Sequence, residues 1–300
     1  MIQIAFDHIY AHPLPENHRF PMLKYQLIPE QLIYEGSYSA AQFFSPESCS
    51  TETVLRTHDA AYLDKLMNQT LSASEQRKIG FPQSPALTQR ELIITQGTID
   101  CALAAQKNGV ALNVAGGTHH AFAERGEGFC LLNDMAVASN YLLDKNLASK
   151  ILIIDLDVHQ GNGTAKLTEN EPRVFTFSMH GAHNYPFHKE KSNLDIGLLD
   201  GTDGPTYLKL LTETLPKLID EFQPDFVFYL SGVDVLDTDK FGKLKLSIAD
   251  CKQRDKIVFE TLKKNQIPVA VALGGGYSPD IRTIVEAHCN TFRLAADIFS

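Results

Sequence analysis

Five short apolar runs in this chain each end at a cluster of polar residues. They are residues 110–114, 151–154, 174–177, 226–230 and 269–273. Each run is short and continuous, which fits a strand buried on both faces better than an amphipathic helix. In open parallel sheets, ligands bind outside the carboxyl ends of the strands. The five polar exits therefore predict one shared site at one edge of a sheet.

Helical stretches alternate with these runs, at residues 87–106, 136–147 and 207–222. No Gly/Ser-rich linker, charge block or internal repeat divides the chain. With 300 residues, 44% of them apolar, the chain can bury a sizeable core. The sequence predicts a single α/β domain over residues 1–300, with a central, mostly parallel sheet flanked by helices.

Charge and cysteine content narrow the functional classes. The formal net charge of -9 argues against a nucleic-acid partner, which needs basic surface, and is better suited to cationic substrates. Five cysteines without CxxC spacing indicate neither a thiolate zinc site nor a disulfide framework. No export signal is visible, and no stretch approaches the ~20 apolar residues of a membrane span. We expect a cytoplasmic protein with no membrane span.

The run at 151–154 leads into Asp155, Asp157 and His159. Residues two apart in an extended chain point to the same side, so one cation could bind both Asp157 and His159. Asp234, after the run at 226–230, completes a set of two carboxylates and one imidazole. Three protein ligands leave a position for water or substrate, as catalytic zinc sites require, and ferrous iron or manganese would also suit this set. The alternative is that the carboxylates cap a strand exit and His159 is an ordinary loop residue.

Proton carriers and an oxyanion donor are also present. His119 and His120 follow a Gly-Gly turn, and neighbouring imidazoles can act as general base and general acid. Asp155 and Asn162 are candidate acceptors for their second nitrogens. Tyr277 follows three glycines and could stabilise an oxyanion. Structural histidines and a packing tyrosine are the alternatives.

Seven motifs in this chain resemble those of the histone deacetylase, acetylpolyamine amidohydrolase and acetoin-utilisation superfamily, in the same order and over nearly the whole length. They are His18-Arg-Phe-Pro-Met-Leu-Lys24, His58-Asp-Ala-Ala-Tyr62, Gly116-Gly-Thr-His-His-Ala121, Gly128-Phe-Cys-Leu-Leu-Asn-Asp134, Asp155-Leu-Asp-Val-His159, Ser231-Gly-Val-Asp234 and Gly274-Gly-Gly-Tyr277. Segments 157–163 and 244–259 look most similar to the class IV branch.

The resemblance implies the arginase/deacetylase fold, with about eight strands, and a role for each matching residue. The implied metal ligands are Asp157, His159 and Asp234; the implied catalytic residues are His119, His120 and Tyr277, with Asp155 and Asn162 behind the histidines. Gly128 and Phe129 fall on the wall of a narrow acyl-lysine channel. Tyr185, in the polar stretch 181–195, is expected at its entrance, although that stretch could equally be a solvated loop. A structural potassium site is implied at the backbone of Asp155, Asp157, His159, Ser178 and Met179, with the Ser178 hydroxyl.

The implied activity is zinc-dependent, or iron-dependent, removal of an acyl group from the ε-amino group of lysine in a protein or peptide. Acetyl is the default, and a longer acyl group is an open alternative. Small acylated amines such as acetylpolyamines remain a second substrate class; a two-metal arginase centre and a non-catalytic acyl-binding module are weaker alternatives. Asn162 departs from the aspartate of many relatives, and its uncharged amide should raise the His120 pKa less. The oligomeric state is left open.

Overall fold

The computed structural model describes residues 1–300, and at its centre lies an eight-stranded sheet in which every strand pairing is parallel. The strands are β1 Gln3–Ala5, β2 Phe43–Phe44, β3 Val110–Asn113, β4 Ile151–Asp155, β5 Val174–Gly181, β6 Leu194–Leu198, β7 Phe226–Leu230 and β8 Val269–Ala272. Their order across the sheet is β2-β1-β3-β8-β7-β4-β5-β6. The five predicted strands are therefore the five adjacent strands β3, β8, β7, β4 and β5, and the prediction that their exits share one edge is confirmed.

Three strands were not predicted from the sequence. β1 has 3 residues and β2 has 2, which is too short for a recognisable pattern. β6 is an edge strand whose residues are mostly exposed or half-buried, so it lacks the continuous apolar run of the central strands. The sheet is also parallel throughout, where the sequence predicted a mostly parallel one.

Ten α-helices accompany the strands. They are α1 Lys24–Tyr34, α2 Thr51–Val54, α3 Ala60–Met67, α4 Ala73–Ile79, α5 Pro85–Asn108, α6 Asp134–Asp144, α7 Asn162–Thr168, α8 Gly204–Phe222, α9 Ile248–Lys264 and α10 Ile281–Phe299. The three predicted helices correspond to α5, α6 and α8. Local chemistry sets their starts: the Ser84 hydroxyl accepts a hydrogen bond from the Leu87 amide before α5, and the Asp203 carboxylate does the same for Thr206 before α8.

One hydrophobic core runs through the molecule. It joins 80 buried apolar residues into a single cluster, as the prediction of one domain requires. All residues of β4 and β7 are buried, because helices cover both faces of a parallel sheet. No helix combines the length and the apolar character that crossing a membrane would need.

The buried His58 ties the loop after the tandem histidines to the start of α6. Its Nδ1–H donates to the Phe122 carbonyl at 2.9 Å, and its Nε2 accepts from the Asn133 amide at 2.9 Å. Both contacts together require a neutral ring. Burial lowers the pKa of His58 from 6.5 to about 4, and the hydrogen bond to Phe122 only partly offsets this.

This neutral histidine makes the fold sensitive to acid. Between pH 6.5 and about 4 the unfolded chain binds a proton at His58 that the folded chain does not, so stability is fully present above this window and is lost as pH falls through it. We expect His58 alone to reduce the free energy of unfolding by about 2 kcal/mol between pH 7 and pH 5. Urea unfolding of the wild type and His58→Gln at both pH values measures this. An equal loss of stability in both proteins would contradict the assignment.

Candidate active site

Asp157, His159 and Asp234, here called the ligand triad, meet at the carboxyl edge of the sheet. Asp157 and His159 follow β4, and Asp234 follows the adjacent strand β7. Their ligand atoms all lie within 4.8 Å of one another. Nδ1 of His159 lies 3.0 Å from Oδ1 of Asp157 and 3.1 Å from Oδ2 of Asp234. The fold thus brings the three predicted metal ligands to one point.

The ligand triad places two buried carboxylates around one imidazole. Burial, and then the charge of Asp157, raise the pKa of Asp234 to about 7. Burial opposes the charge of His159, but hydrogen bonds to Asp157 and Asp234 outweigh it and raise its pKa to about 10. Without a metal, a protonated His159 thus supplies the positive charge between two buried carboxylates, which is the place a divalent cation would take. This donor set of oxygen and nitrogen fits a divalent ion such as zinc or ferrous iron, held by the triad.

Glycines surround the two carboxylates closely. A Cβ atom at Gly275 would lie 1.9 Å from Oδ2 of Asp234, and one at Gly232 would lie 2.4 Å from Oδ2 of Asp157. A Cβ atom at Gly274 would lie 2.7 Å from the same Asp157 oxygen. The amide of Gly275 also donates to that oxygen at 2.7 Å. The absence of side chains at these positions is therefore required for the carboxylates to sit where they do.

Arg254 of α9 holds the two ligand loops from behind. Its fully buried Nη1 donates to the carbonyls of Leu156 at 3.2 Å and of Gly232 at 2.5 Å. Asp255 balances its charge, with Oδ1 2.8 Å from Nε of the arginine. The loops that carry Asp157 and Asp234 are thus fixed to the same side chain, which the sequence analysis did not identify.

The tandem histidines have different partners, and their pKa values are shifted in opposite directions. Nδ1 of His119 lies 2.8 Å from Oδ2 of Asp155, and Nδ1 of His120 lies 2.7 Å from Oδ1 of Asn162. Burial opposes the charge of His119, but Asp155 outweighs it and raises its pKa. Burial, and then the charges of His119 and His159, hold the pKa of His120 well below its usual value. An imidazole with a raised pKa and one with a lowered pKa therefore lie side by side, with ring centroids 4.1 Å apart.

Tyr277 presents a free hydroxyl beside the ligand triad. Its amide donates to Oδ2 of Asp239 at 2.6 Å, and its ring packs against Phe241 with centroids 4.9 Å apart. The hydroxyl makes no hydrogen bond within the protein. Burial, and then the charges of Asp234 and Asp157, raise the pKa of Tyr277 well above its usual value. The phenol is therefore a neutral donor that is available to a substrate.

Two connected spaces lead to these residues. An outer cavity of about 410 Å³ is lined by His120, His159 and Tyr277 together with the three predicted channel residues, Gly128, Phe129 and Tyr185. An inner pocket of about 50 Å³ lies deeper, between the tandem histidines, Tyr25 and Cys130. Gly128 has φ 57°, and a Cβ there would lie 2.6 Å from Cδ2 of His120. The stretch 181–195 also contributes His183, Asn184 and Phe187 to the outer cavity, as an entrance segment would.

The residues of the predicted potassium site lie behind the triad. Asp155 of β4 is paired with Ser178 of β5, and Met179 follows in the same strand. The Ser178 hydroxyl already has a partner, Nδ1 of His180 at 2.9 Å. Potassium binding there stays a prediction.

Three polar residues at the site were missed: Arg254, Asp239 and Glu127. Glu127 lies next to Gly128 in a recognised motif, and that adjacency was the one available signal. Its Oε1 accepts a hydrogen bond from Nδ2 of Asn162 at 2.6 Å. The two residues are 35 positions apart, so no local pattern connects them.

Comparison with known proteins agrees with this geometry. Residues 18–292 match the histone deacetylase domain. Histone deacetylase 2 of Arabidopsis thaliana is 32% identical over 269 residues, which are 87% of this chain and 70% of that protein. An uncharacterized protein of Picosynechococcus sp. is 41% identical over 296 residues, 99% of each chain. The crystal structure of an HDAC homolog complexed with SAHA superposes with a TM-score of 0.83 at 24% identity, over 98% of this chain and 83% of that one. The predicted arginase/deacetylase fold is confirmed, and the chain belongs to the histone deacetylase family.

Proposed function

We propose that this protein is a metal-dependent amidohydrolase that removes an acetyl group from the ε-amino group of lysine in a protein or peptide. The observation that carries this proposal is that His159, His120 and Tyr277 line both the outer cavity and the inner pocket, where Asp157 and His119 join them, and that Asp234 completes the ligand triad behind the inner pocket. Each element suits one task in amide hydrolysis, and no other group of three metal-ligating side chains occurs in the structure.

The chain's own residues provide the proton carriers and the oxyanion donor. A zinc or ferrous ion held by the ligand triad would supply Lewis-acid polarisation of the acyl carbonyl and of a water molecule. His120, kept neutral by burial, accepts a proton from the attacking water and returns it to the departing amine. Asp155 raises the pKa of His119, which favours the imidazolium form that stabilises negative charge beside it. The hydroxyl of Tyr277 donates to the oxyanion.

The entrance favours acyl-lysine over acylated polyamines. The outer cavity is lined by Arg19, Lys78 and Lys243 and by no carboxylate. Lys243 pairs with Asp200 at 3.5 Å, whereas Arg19 stacks over the rings of Phe129 and Phe241 at 5.1 and 5.4 Å. The net charge of -9 alone favoured cationic substrates, but the local charge at the entrance is positive. A polyamine tail would be repelled there, and acidic residues beside an acyl-lysine would be attracted.

The inner pocket favours a short acyl group. Its volume of about 50 Å³ compares with the roughly 10–15 Å³ that a cavity needs to hold one water molecule. Tyr25 and Cys130, both buried, border it. An acetyl group suits this volume, and a long fatty acyl chain would require these side chains to move.

Turnover by metal-stripped protein refilled with zinc or ferrous iron tests the proposal. The substrates are acetyl-lysine peptides with acidic or basic flanks, a long-chain acyl-lysine peptide and an acetylpolyamine. We expect turnover only with metal, fastest on the acidic acetyl-lysine peptide and slowest on the acetylpolyamine. Faster turnover of the acetylpolyamine than of the peptides would support the alternative that the substrates are small acylated amines. No turnover despite stoichiometric metal would support a non-catalytic acyl-binding module.

A charge reversal at the entrance tests whether the local charge there, and not the net charge of the protein, determines which peptide flanks are preferred. Arg19→Glu with Lys78→Glu should reverse the preference between acidic and basic flanks. Lys107→Glu is the control, because this exposed residue lies near the end of α5, just before β3 and thus at the opposite edge of the sheet. An unchanged flank preference in the double variant would count against recognition by the basic entrance.

The subclass and the compartment belong to the same proposal. Segments 157–163 and 244–259 support a class IV-like enzyme. The five cysteines are all buried and free, which supports a reducing, cytoplasmic location.

A further inference from the structure

The carboxylate of Glu127 lies directly behind the amide that contacts His120. Asn162, the first residue of α7, donates from Nδ2 to Oε1 of Glu127 at 2.6 Å. Its Oδ1 lies 2.7 Å from Nδ1 of His120. Asn162 is buried, and the Glu127 side chain is 15% exposed, with Oε2 3.6 Å from Nε of Arg125. Hydrogen bonds therefore connect three side chains in series, from the partly exposed Glu127 through Asn162 to the imidazole of His120.

The amide of Asn162 gives this series of hydrogen bonds a fixed direction from donor to acceptor. An amide has an accepting end and a donating end, whereas an ionised carboxylate only accepts. With Glu127 behind it, Asn162 must turn its NH2 group toward the carboxylate and its oxygen toward His120. The ring nitrogen that faces this oxygen must then carry the proton. His120 is left with its lone pair on Nε2, the nitrogen that a general base in this cavity needs.

We propose that Glu127 is a positioning residue that fixes the orientation of the Asn162 amide and thereby the Nδ1–H tautomer of His120. This inference rests on the proposed function, in which His120 accepts the proton of water. Glu127 lines neither the outer cavity nor the inner pocket. Its effect passes through Asn162, whose amide would otherwise be free to present its NH2 group to His120.

The pair also explains how asparagine can stand at position 162. An aspartate there accepts with either oxygen and needs no orienting partner. In this chain, however, Asn162→Asp would bring two carboxylates to the 2.6 Å separation that the amide now bridges. The substitution should therefore be harmful alone and tolerated when residue 127 becomes a donor. Glu127→Gln together with Asn162→Asp reverses the direction of the hydrogen bond and keeps the acceptor toward His120.

Kinetics of four variants test this arrangement: Glu127→Ala, Asn162→Asp, the double variant Glu127→Gln/Asn162→Asp, and the control Glu124→Ala, an exposed carboxylate on the same loop. Each of the first two should lower kcat by about 10- to 100-fold with little change in KM, as loss of an orienting partner does. The double variant should recover most of the lost kcat. Recovery by a second substitution excludes misfolding as the cause of the loss.

The tautomer of the His120 ring can be measured without an activity assay. In ¹⁵N spectra, the His120 ring of the wild type should show a protonated Nδ1 and an unprotonated Nε2, and Glu127→Ala should show a mixture. Wild-type kcat and tautomer in Glu127→Ala, a raised KM alone, or a double variant no better than the worse single would overturn the proposal. If the wild type shows no turnover, the proposed function fails, and the ring spectra still decide the role of Glu127.

Discussion

Asp234→Asn is expected to abolish deacylation without destabilising the metal-free fold. The variant removes one of three ligands, and losing several kcal/mol of Lewis-acid stabilisation corresponds to about 10³-fold or more in kcat/KM. The fold should persist because an asparagine oxygen can still accept from the Val158 amide, which donates to Oδ1 of Asp234 at 2.9 Å. Burial and Asp157 already raise the pKa of Asp234 to about 7, so a neutral side chain relieves a repulsion.

Three measurements on this variant separate its effects: bound metal after dialysis, kcat/KM on an acetyl-lysine peptide, and urea unfolding without metal. Asp237→Asn, an exposed aspartate three residues further along, is the matched control. Retained metal and activity in Asp234→Asn would place the metal centre elsewhere. Loss of activity together with a much lower unfolding midpoint would instead indicate a structural role for Asp234.

Tyr277→Phe is expected to lower kcat by about 10²- to 10³-fold, the usual effect of losing one oxyanion donor. KM and metal content should change little. The hydroxyl has no partner within the protein, so its removal leaves no buried group unsatisfied. The ring contacts with Phe20, Phe129 and Phe241 remain available to phenylalanine.

Steady-state kinetics and metal analysis of Tyr277→Phe check this, with Tyr34→Phe, which is 90% exposed, as the control. An unchanged kcat would remove Tyr277 from the mechanism. A higher KM with the same kcat would mean that the phenol binds substrate and transition state equally.

The sequence was most informative where chemistry is local. The central strands were recognisable because each is a continuous apolar run, as at Ile151–Asp155. Asp157 and His159 were recognisable because they follow a strand end at a spacing that points both to one side. The edge strand Leu194–Leu198 was not, because its partly exposed residues resemble a loop.

Residues that act across the fold could not be found in the same way. Arg254 supports the ligand loops from 98 positions beyond Leu156, and only the packing of α9 brings them together. Glu127 changes the effect that is expected of a substitution at Asn162. From the sequence alone, Asn162→Asp is expected to raise the pKa of His120. Because Glu127 is hydrogen-bonded to Asn162, the same substitution would place two carboxylates in contact, and we expect it to lower kcat.

The glycines around the ligand triad have a consequence for how this protein can vary. Gly232, Gly274 and Gly275 carry no functional group, yet a single added methyl group at any of them would collide with a ligand carboxylate. Their tolerance to mutation should therefore be as low as that of the ligands themselves. A saturation mutagenesis map would show inactivating substitutions at chemically silent positions, and Gly→Ala, ordinarily a mild change, would rank among the most damaging single changes in the chain.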